Sequence, residues 1–325
     1  AKATKRESTK KQQGATPAAA AARRLEDDEW ADFGFDPADY SIKYAGCSNV
    51  KTYSDEVAEE GEGYTVLAVN RFVAFTLCPS DTCSDDGACG SNFGEYIVPL
   101  EDYLEMFGNY KEEEMDAYCE YCAQCVYYQE YFYGNRMLED ANNGANGKGC
   151  PYYNECKGYA DVCSADGDDA DQGDDQQQAA DYAELLACQQ FDDMTDRNGN
   201  PLYVGPMCDG DGGMKVGVFT DENCYEDAGS TYDISGYIPS DALSEYVPSD
   251  CVSCRESDNF YMIIKNDEMD DDSITELCEN LYSNSAKCNR YLYAAEDGSY
   301  EGYNQEANED SVCDFIESVM GGGYD

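Results

Sequence analysis

Eighteen cysteines in a chain without a single histidine constrain this protein more than any other feature of its sequence. They are Cys47, Cys78, Cys83, Cys89, Cys119, Cys122, Cys125, Cys150, Cys156, Cys163, Cys188, Cys208, Cys224, Cys251, Cys254, Cys278, Cys288 and Cys313. In an oxidising compartment such an even set pairs as nine disulfides. In a reducing one, so many thiols need metal. The missing histidine removes Ser-His-Asp and Cys-His catalysis and every histidine-containing zinc site. An all-cysteine zinc site stays open as the metal alternative.

The stretch "YCEYCAQC", residues 118 to 125, tests these alternatives. On a helix, cysteines three apart are separated by about 300° of turn, so Cys119, Cys122 and Cys125 fan across one side. Three staples to different neighbours suit that geometry better than one tetrahedral metal. A second C-x-x-C, Cys251 to Cys254, could complete a four-cysteine zinc site, but most of the cysteines would remain unexplained. A redox C-x-x-C needs a depressed thiolate pKa, and Glu113, Glu114, Asp116 and Glu120 around the first motif act in the opposite sense. Structural disulfides are the expectation for all eighteen. Their connectivity does not follow from spacing.

The 325 residues carry 20 basic and 69 acidic side chains, a net charge of −49. A surface of that sign repels nucleic acid and anionic lipid, attracts cations and basic segments, and repels itself. The compact state therefore needs covalent staples, bound cations or low pH. The charge is divided unevenly. Residues 1–25 hold Lys2, Lys5, Arg6, Lys10, Lys11, Arg23 and Arg24 against Glu7 alone, a net of +6. The rest, with 13 basic and 68 acidic residues, carries −55. This Ala-rich arm reads either as a tail or as a segment that docks on the acidic body of a neighbouring copy, since opposite charge draws it in.

A second change of composition falls at residues 164–178, "SADGDDADQGDDQQQ", an exposed acidic linker. Ten cysteines precede it and eight follow, so each side can close its own bridges. The two sides also read alike. "RFVAFTLC", "GEYIVPLEDYLEMF", "CEYC" and three more cysteines parallel "MKVGVFTDENC", "STYDISGYIPSDALSEYV", "CVSC" and three more. The alternation in "EYIVPL" and "KVGVF" is that of strands, and the longest helical stretch begins at "LEDYLEMF", with Tyr121, Cys125, Tyr128 and Phe132 on one face. The expected class is α+β: two tandem, weakly similar disulfide-stapled repeats, residues 26–163 and 179–325, behind a short basic arm.

Other candidate sites are weaker. Asp166, Asp168, Asp169 and Asp171 in the linker are weak calcium candidates without an EF-hand pattern. Asp270, Asp271 and Asp272 read as an acidic cluster at a helix N-terminus with Ser273 as its cap. "DRNGNPLYV" holds a hairpin turn at Asn198-Gly199. The 29 tyrosines read mostly as half-buried packing rings, a minority as a contact surface for a sugar or another subunit. No apolar run reaches the roughly 18 residues of a membrane helix, the best stretch, "TVLAVNRFVAFTLC", being broken by Asn70 and Arg71, and no N-glycosylation sequon is present. The chain begins without a signal-peptide pattern, so secretion would mean that the signal is already removed.

"DYSIKYAGCSNV", "RFVAFTLCPSDTC", "YVGPMCDGDGGMKVGVFTDENC", "LCENLYSNSAKC" and "CDFIESVMGGGYD" together resemble blocks of a family of acidic, cysteine-rich secretory-pathway proteins of diatoms and related heterokont algae, over residues 39–325. The family has no assigned biochemistry. The resemblance implies an ectodomain with a signal peptide and a membrane helix after the last cysteine block, which residues up to Asp325 do not include. "ARRL", residues 22–25, is similar to the Arg-X-Leu processing sites of diatom silica-wall proteins. The expectation is a secreted, non-enzymatic structural protein of an algal cell surface that self-assembles into a fibre or layer, without cofactor beyond weakly bound calcium. Two alternatives stand beside it: a receptor or adhesin ectodomain binding cations or polysaccharide, and a thiol-disulfide oxidoreductase using Cys119/Cys122 or Cys251/Cys254.

Overall fold

A computed structural model describes residues 33, 35–53, 67–84, 89–128, 153–163, 186–258, 273–292 and 306–321. The basic arm, the 164–178 linker with its four calcium-candidate aspartates, Asp270–Asp272, Phe132 and Cys150 lie outside the described residues. The class is α+β, with helices packed on antiparallel sheets.

Strands β1 (Tyr40–Tyr53), β2 (Leu67–Pro79) and β3 (Gly94–Pro99) form an antiparallel centre. Two short strands, β7 (Val252–Ser253) and β8 (Ala286–Cys288), complete a sheet of order β7-β1-β2-β3-β8. A second antiparallel sheet holds β4 (Gln189–Thr195), β5 (Pro201–Cys208) and β6 (Met214–Phe219). The helices are α1 (Leu100–Tyr128), α2 (Tyr159–Cys163), α3 (Glu276–Asn284) and α4 (Glu306–Met320).

Strand periodicity sorts the side chains of the large sheet onto two faces. Phe75, Leu77, Tyr96 and Val98 point to the face covered by α1 and α3, where Tyr103, Leu104, Phe107, Leu277 and Leu281 complete the main core. Val50, Phe72 and Ile97 point the other way, under Ile316 and Val319 of α4. The register of β1 slips between Tyr44 and Gly46. Before this bulge the even positions Tyr40 and Ile42 face the main core; after it the odd position Cys47 does. Gly46 takes φ 151° there, a backbone conformation that residues with a Cβ rarely adopt, and a Cβ would also press on the Met320 methyl at 2.8 Å. The bulge is also where the two sheets meet. The Cys47 amide and the Tyr44 hydroxyl both donate to the Gly212 carbonyl at 2.8 Å, and Cys47 is bridged to Cys208.

Helix α1 does two jobs along its 29 residues, about 44 Å. Its first half buries Tyr103, Leu104, Phe107 and Tyr110 on the sheet. Its second half carries a separate annex in which Cys122, Cys125 and Cys156 are buried with Tyr118, Tyr121 and Tyr159 around them. Removing the buried Cys122–Cys156 bridge of the annex as Cys122→Ala/Cys156→Ala should speed amide exchange over residues 118–127 by about tenfold or more, with β2 and β3 unchanged. Equal acceleration in β2 and β3 would show that annex and body unfold as one unit.

Several expectations need correction. The two sides of the linker do not close separately: β7 and β8 flank β1 and β3, and the bridges Cys47–Cys208 and Cys83–Cys251 cross between sides. Described residues from both sides of the linker therefore share the large sheet and the main core. Nor do the paired motifs fold alike. "RFVAFTLC" lies within the central strand β2, whereas "MKVGVF" is an edge strand of the smaller sheet. "STYDISGYIPSDALSEYV" makes turns and short 3-10 segments such as Ser244–Tyr246, because Gly236 and Pro239 interrupt both strand and helix. The cap of α3 is Thr275, whose hydroxyl accepts from the Cys278 amide at 3.4 Å, not Ser273. The Asn198-Gly199 hairpin joins β4 to β5, with the Asp196 carboxylate accepting from the amides of Asn198 and Asn200.

One cation, half-buried at the sheet margin, is withdrawn from water. Lys287 on β8 holds its ammonium 4.6 Å from the Tyr282 ring centroid and donates to the Ser285 carbonyl, and burial pulls its pKa from 10.5 down to about 8. Between pH 8 and 10.5 the unfolded chain binds more protons at this site than the folded one, so folding stability rises with pH in that window. Above about pH 10 the buried tyrosines Tyr44, Tyr103 and Tyr110, whose pKa values burial raises, reverse the trend. The unfolding free energy should gain roughly 1 kcal/mol from about pH 7.5 to about pH 9. Lys287→Met should abolish the gain; an unchanged slope in that variant assigns it to other groups.

Candidate functional site

The cysteine triplet is a set of staples. Cys119 is bridged to Cys163 and Cys122 to Cys156, and Cys125 is disulfide-bonded as well. In the second C-x-x-C, Cys251 joins Cys83 and Cys254 joins Cys278. Neither motif closes on itself, whereas a C-x-x-C dithiol catalyst cycles through a bond between its own two sulfurs. The remaining described bridges are Cys47–Cys208, Cys78–Cys89, Cys188–Cys224 and Cys288–Cys313. Among the described residues there is no free cysteine and no group of three metal-ligating side chains.

A cleft of about 1110 Å³ opens where the large sheet loses its third strand. β1 and β2 pair as far as Tyr53 and Leu67, but β3 pairs with β2 only as far as Phe72 opposite Pro99. Pro99 offers no amide to a ladder, and the chain turns there into α1, whose first turn carries Glu101 and Asp102 at the favourable end of the helix dipole. Beyond Phe72, the side of β2 facing away from β1 has no strand partner among the described residues from Ala68 to Arg71. The cleft lies along this edge. Val69, Asn70 and Phe72 line it from β2, Val312 and Phe315 from α4, and Pro206, Asn223 and Tyr225 from the smaller sheet and its loop. Exposed carboxylates of Glu101, Glu222 and Asp314 stand on its rim.

Arg71 ties the cleft together. Its Nη2 donates to the Cys224 carbonyl at 2.5 Å, and its guanidinium carbon lies 4.7 Å from the Phe219 ring centroid. Burial lowers its pKa, an effect opposed by the charges of Glu101, Asp221 and Asp227, and the group stays a cation. Its Nε is buried without a hydrogen-bond partner. The loop it grips is folded around Asp221, whose carboxylate accepts from the amides of Asn223, Tyr225 and Glu226. Arg71 thus ties β2 to the 221–226 loop along one side of the cleft.

Sequence reading met Asn70 and Arg71 only as interruptions of an apolar run. A cation and an amide within an apolar strand were the available signal, but the open edge depends on where β3 stops. No family model, no curated protein and no solved structure matches this chain.

Proposed function

We propose that this is a secreted, non-enzymatic structural protein that assembles with copies of itself into a fibre or layer at a cell surface, in keeping with the algal secretory resemblance. The observation that carries the reading is the unpaired β2 edge inside a preformed cleft. Soluble proteins protect exposed strand edges, because a row of unpaired amides and carbonyls is a template for another chain. Here the outer strands of the large sheet are only two and three residues long, yet four residues of its central strand have no strand partner on one side among the described residues. The described disulfides are compatible with an extracellular setting, and no described helix is long and apolar enough to cross a membrane. The cysteine connectivity speaks against the oxidoreductase alternative.

A polysaccharide-binding ectodomain is the second reading, favoured by the amides of Asn70, Asn223 and Asn284 beside Phe72 and Phe315 in the cleft. Electron microscopy and sedimentation of the oxidised full chain discriminate. Filaments or sheets that grow with protein concentration support assembly. A monomer at all concentrations with saturable oligosaccharide binding replaces it with the ectodomain reading.

A further inference from the structure

We propose that the cleft seats the basic arm, residues 1–25, of a second copy of the chain, added as an extra strand along the Ala68–Arg71 edge of β2. This rests on the self-assembly reading above and names its contact.

Among the described residues, the far side of β2 from Ala68 to Arg71 is left without a strand. An incoming segment would lie where β3 would run had it continued past Pro99, between the edge of β2 and the start of α1. Main-chain hydrogen bonds give affinity in such an addition, and side-chain fit gives specificity. Four residues of edge span about 13 Å, enough for a short extended segment to bond from end to end. The cleft exceeds the roughly 300–1,000 Å³ of small-molecule pockets, as a peptide seat should.

Its walls also select among segments of the chain. Phe72, Val312, Phe315 and Pro206 line the cleft with apolar surface, which suits an occupant with small apolar side chains that let its backbone approach the edge. Residues 18–22 are five consecutive alanines. Pro17 precedes them and ends a ladder on one side, while Arg23 and Arg24 follow and meet the rim carboxylates of Glu101, Glu222 and Asp314 on the other. Alanine prefers a helix in isolation, but that preference is weak beside the main-chain hydrogen bonds gained along the edge. The charges agree over longer range, +6 on the arm and −55 on the rest of the chain. Head-to-tail contacts of this kind do not close, and so extend into filaments.

The test uses the oxidised full chain. A photo-crosslinking residue replaces Ala20, labelled and unlabelled copies are mixed, and crosslinked peptides are mapped. Links from Ala20 of one copy to residues 68–72 or to Val312 of another support the proposal. Links within one copy, or to surfaces remote from the cleft, overturn it. Glu101→Lys/Glu222→Lys should raise the critical assembly concentration about tenfold or more, whereas Glu112→Lys, on an exposed position of α1 remote from the cleft, should leave it within about twofold. A synthetic peptide of residues 1–25 in excess should depolymerise the assemblies. Assemblies that ignore both the peptide and the rim substitutions sink the arm-in-cleft contact while leaving self-assembly standing. A chain that never assembles, yet binds the peptide at the cleft, sinks self-assembly instead.

Discussion

Replacing the Cys47–Cys208 bridge with alanines should lower the unfolding free energy by about 4–5 kcal/mol, read as a fall in the guanidinium midpoint. The reason lies in the unfolded chain. The bridge spans 161 residues of sequence, and opening it frees a large loop in the denatured state. Cys83–Cys251, which spans 168, still ties the same two regions, so the freed ring is smaller than the separation suggests and the loss stays near the lower figure. The native state should change little. The Cys47 amide and Tyr44 hydroxyl keep their bonds to the Gly212 carbonyl, and the Asn49 amide keeps its bond to the Cys208 carbonyl. Cys78–Cys89, with a separation of only 11, provides the comparison: its removal should cost about 3 kcal/mol on the same account. Equal losses for the two bridges would mean that local packing rather than chain entropy sets the stabilisation. Against a total stability of roughly 5–15 kcal/mol, either loss is a large share. Reduction of all bridges should leave the chain unfolded at neutral pH and low salt, since a net charge of −49 opposes collapse.

The same bridge marks where sequence reading stops being able to see the fold. That the cysteines are staples followed from their number and from the turn of a helix, and Cys119 and Cys122 do leave α1 toward different partners. The strands "EYIVPL" and "KVGVF" and the helix starting at "LEDYLEMF" were legible because each has one clean period. Even cysteine counts on the two sides of residues 164–178 suggested self-contained halves, but parity says nothing about partners, and strand pairing between residues so distant in sequence leaves no local trace. β1 shows a subtler failure. Its bulge moves the core face from even to odd positions, so its 14 residues never display one continuous alternation. The candidate site was hidden for a related reason. Nothing in "VPLED" says that Phe72 is the last residue of β2 to find a partner on β3; that is a fact of register, and register exists only once both strands are placed.

Tyr96→Ala should cost about 3–5 kcal/mol, and the loss should be coupled to Gly94 two residues earlier. Tyr96 is fully buried, stacks on Phe75 at 5.3 Å between centroids, tilts against Tyr282 at 5.5 Å, and donates its hydroxyl to Asn289 Oδ1 at 2.8 Å. Its ring folds back over Gly94 on the same face of β3. A Cβ on that glycine would collide with the Tyr96 hydroxyl oxygen and stand 2.6 Å from the ring carbon bearing it. The neighbouring rings leave Tyr96 nowhere to move, so Gly94→Ala should cost about 1–3 kcal/mol by overpacking. In a chain already carrying Tyr96→Ala the clash is gone, and the extra methyl lies beside the cavity left by the ring. There Gly94→Ala should be close to neutral, giving a coupling of at least about 1 kcal/mol between the two sites in urea denaturation. Strict additivity would mean that Gly94 is required by the backbone instead. The same cycle bears on the reading of the tyrosines as packing rings, because a ring that demands a glycine beneath it is a fixed part of the core and is not available for a contact surface.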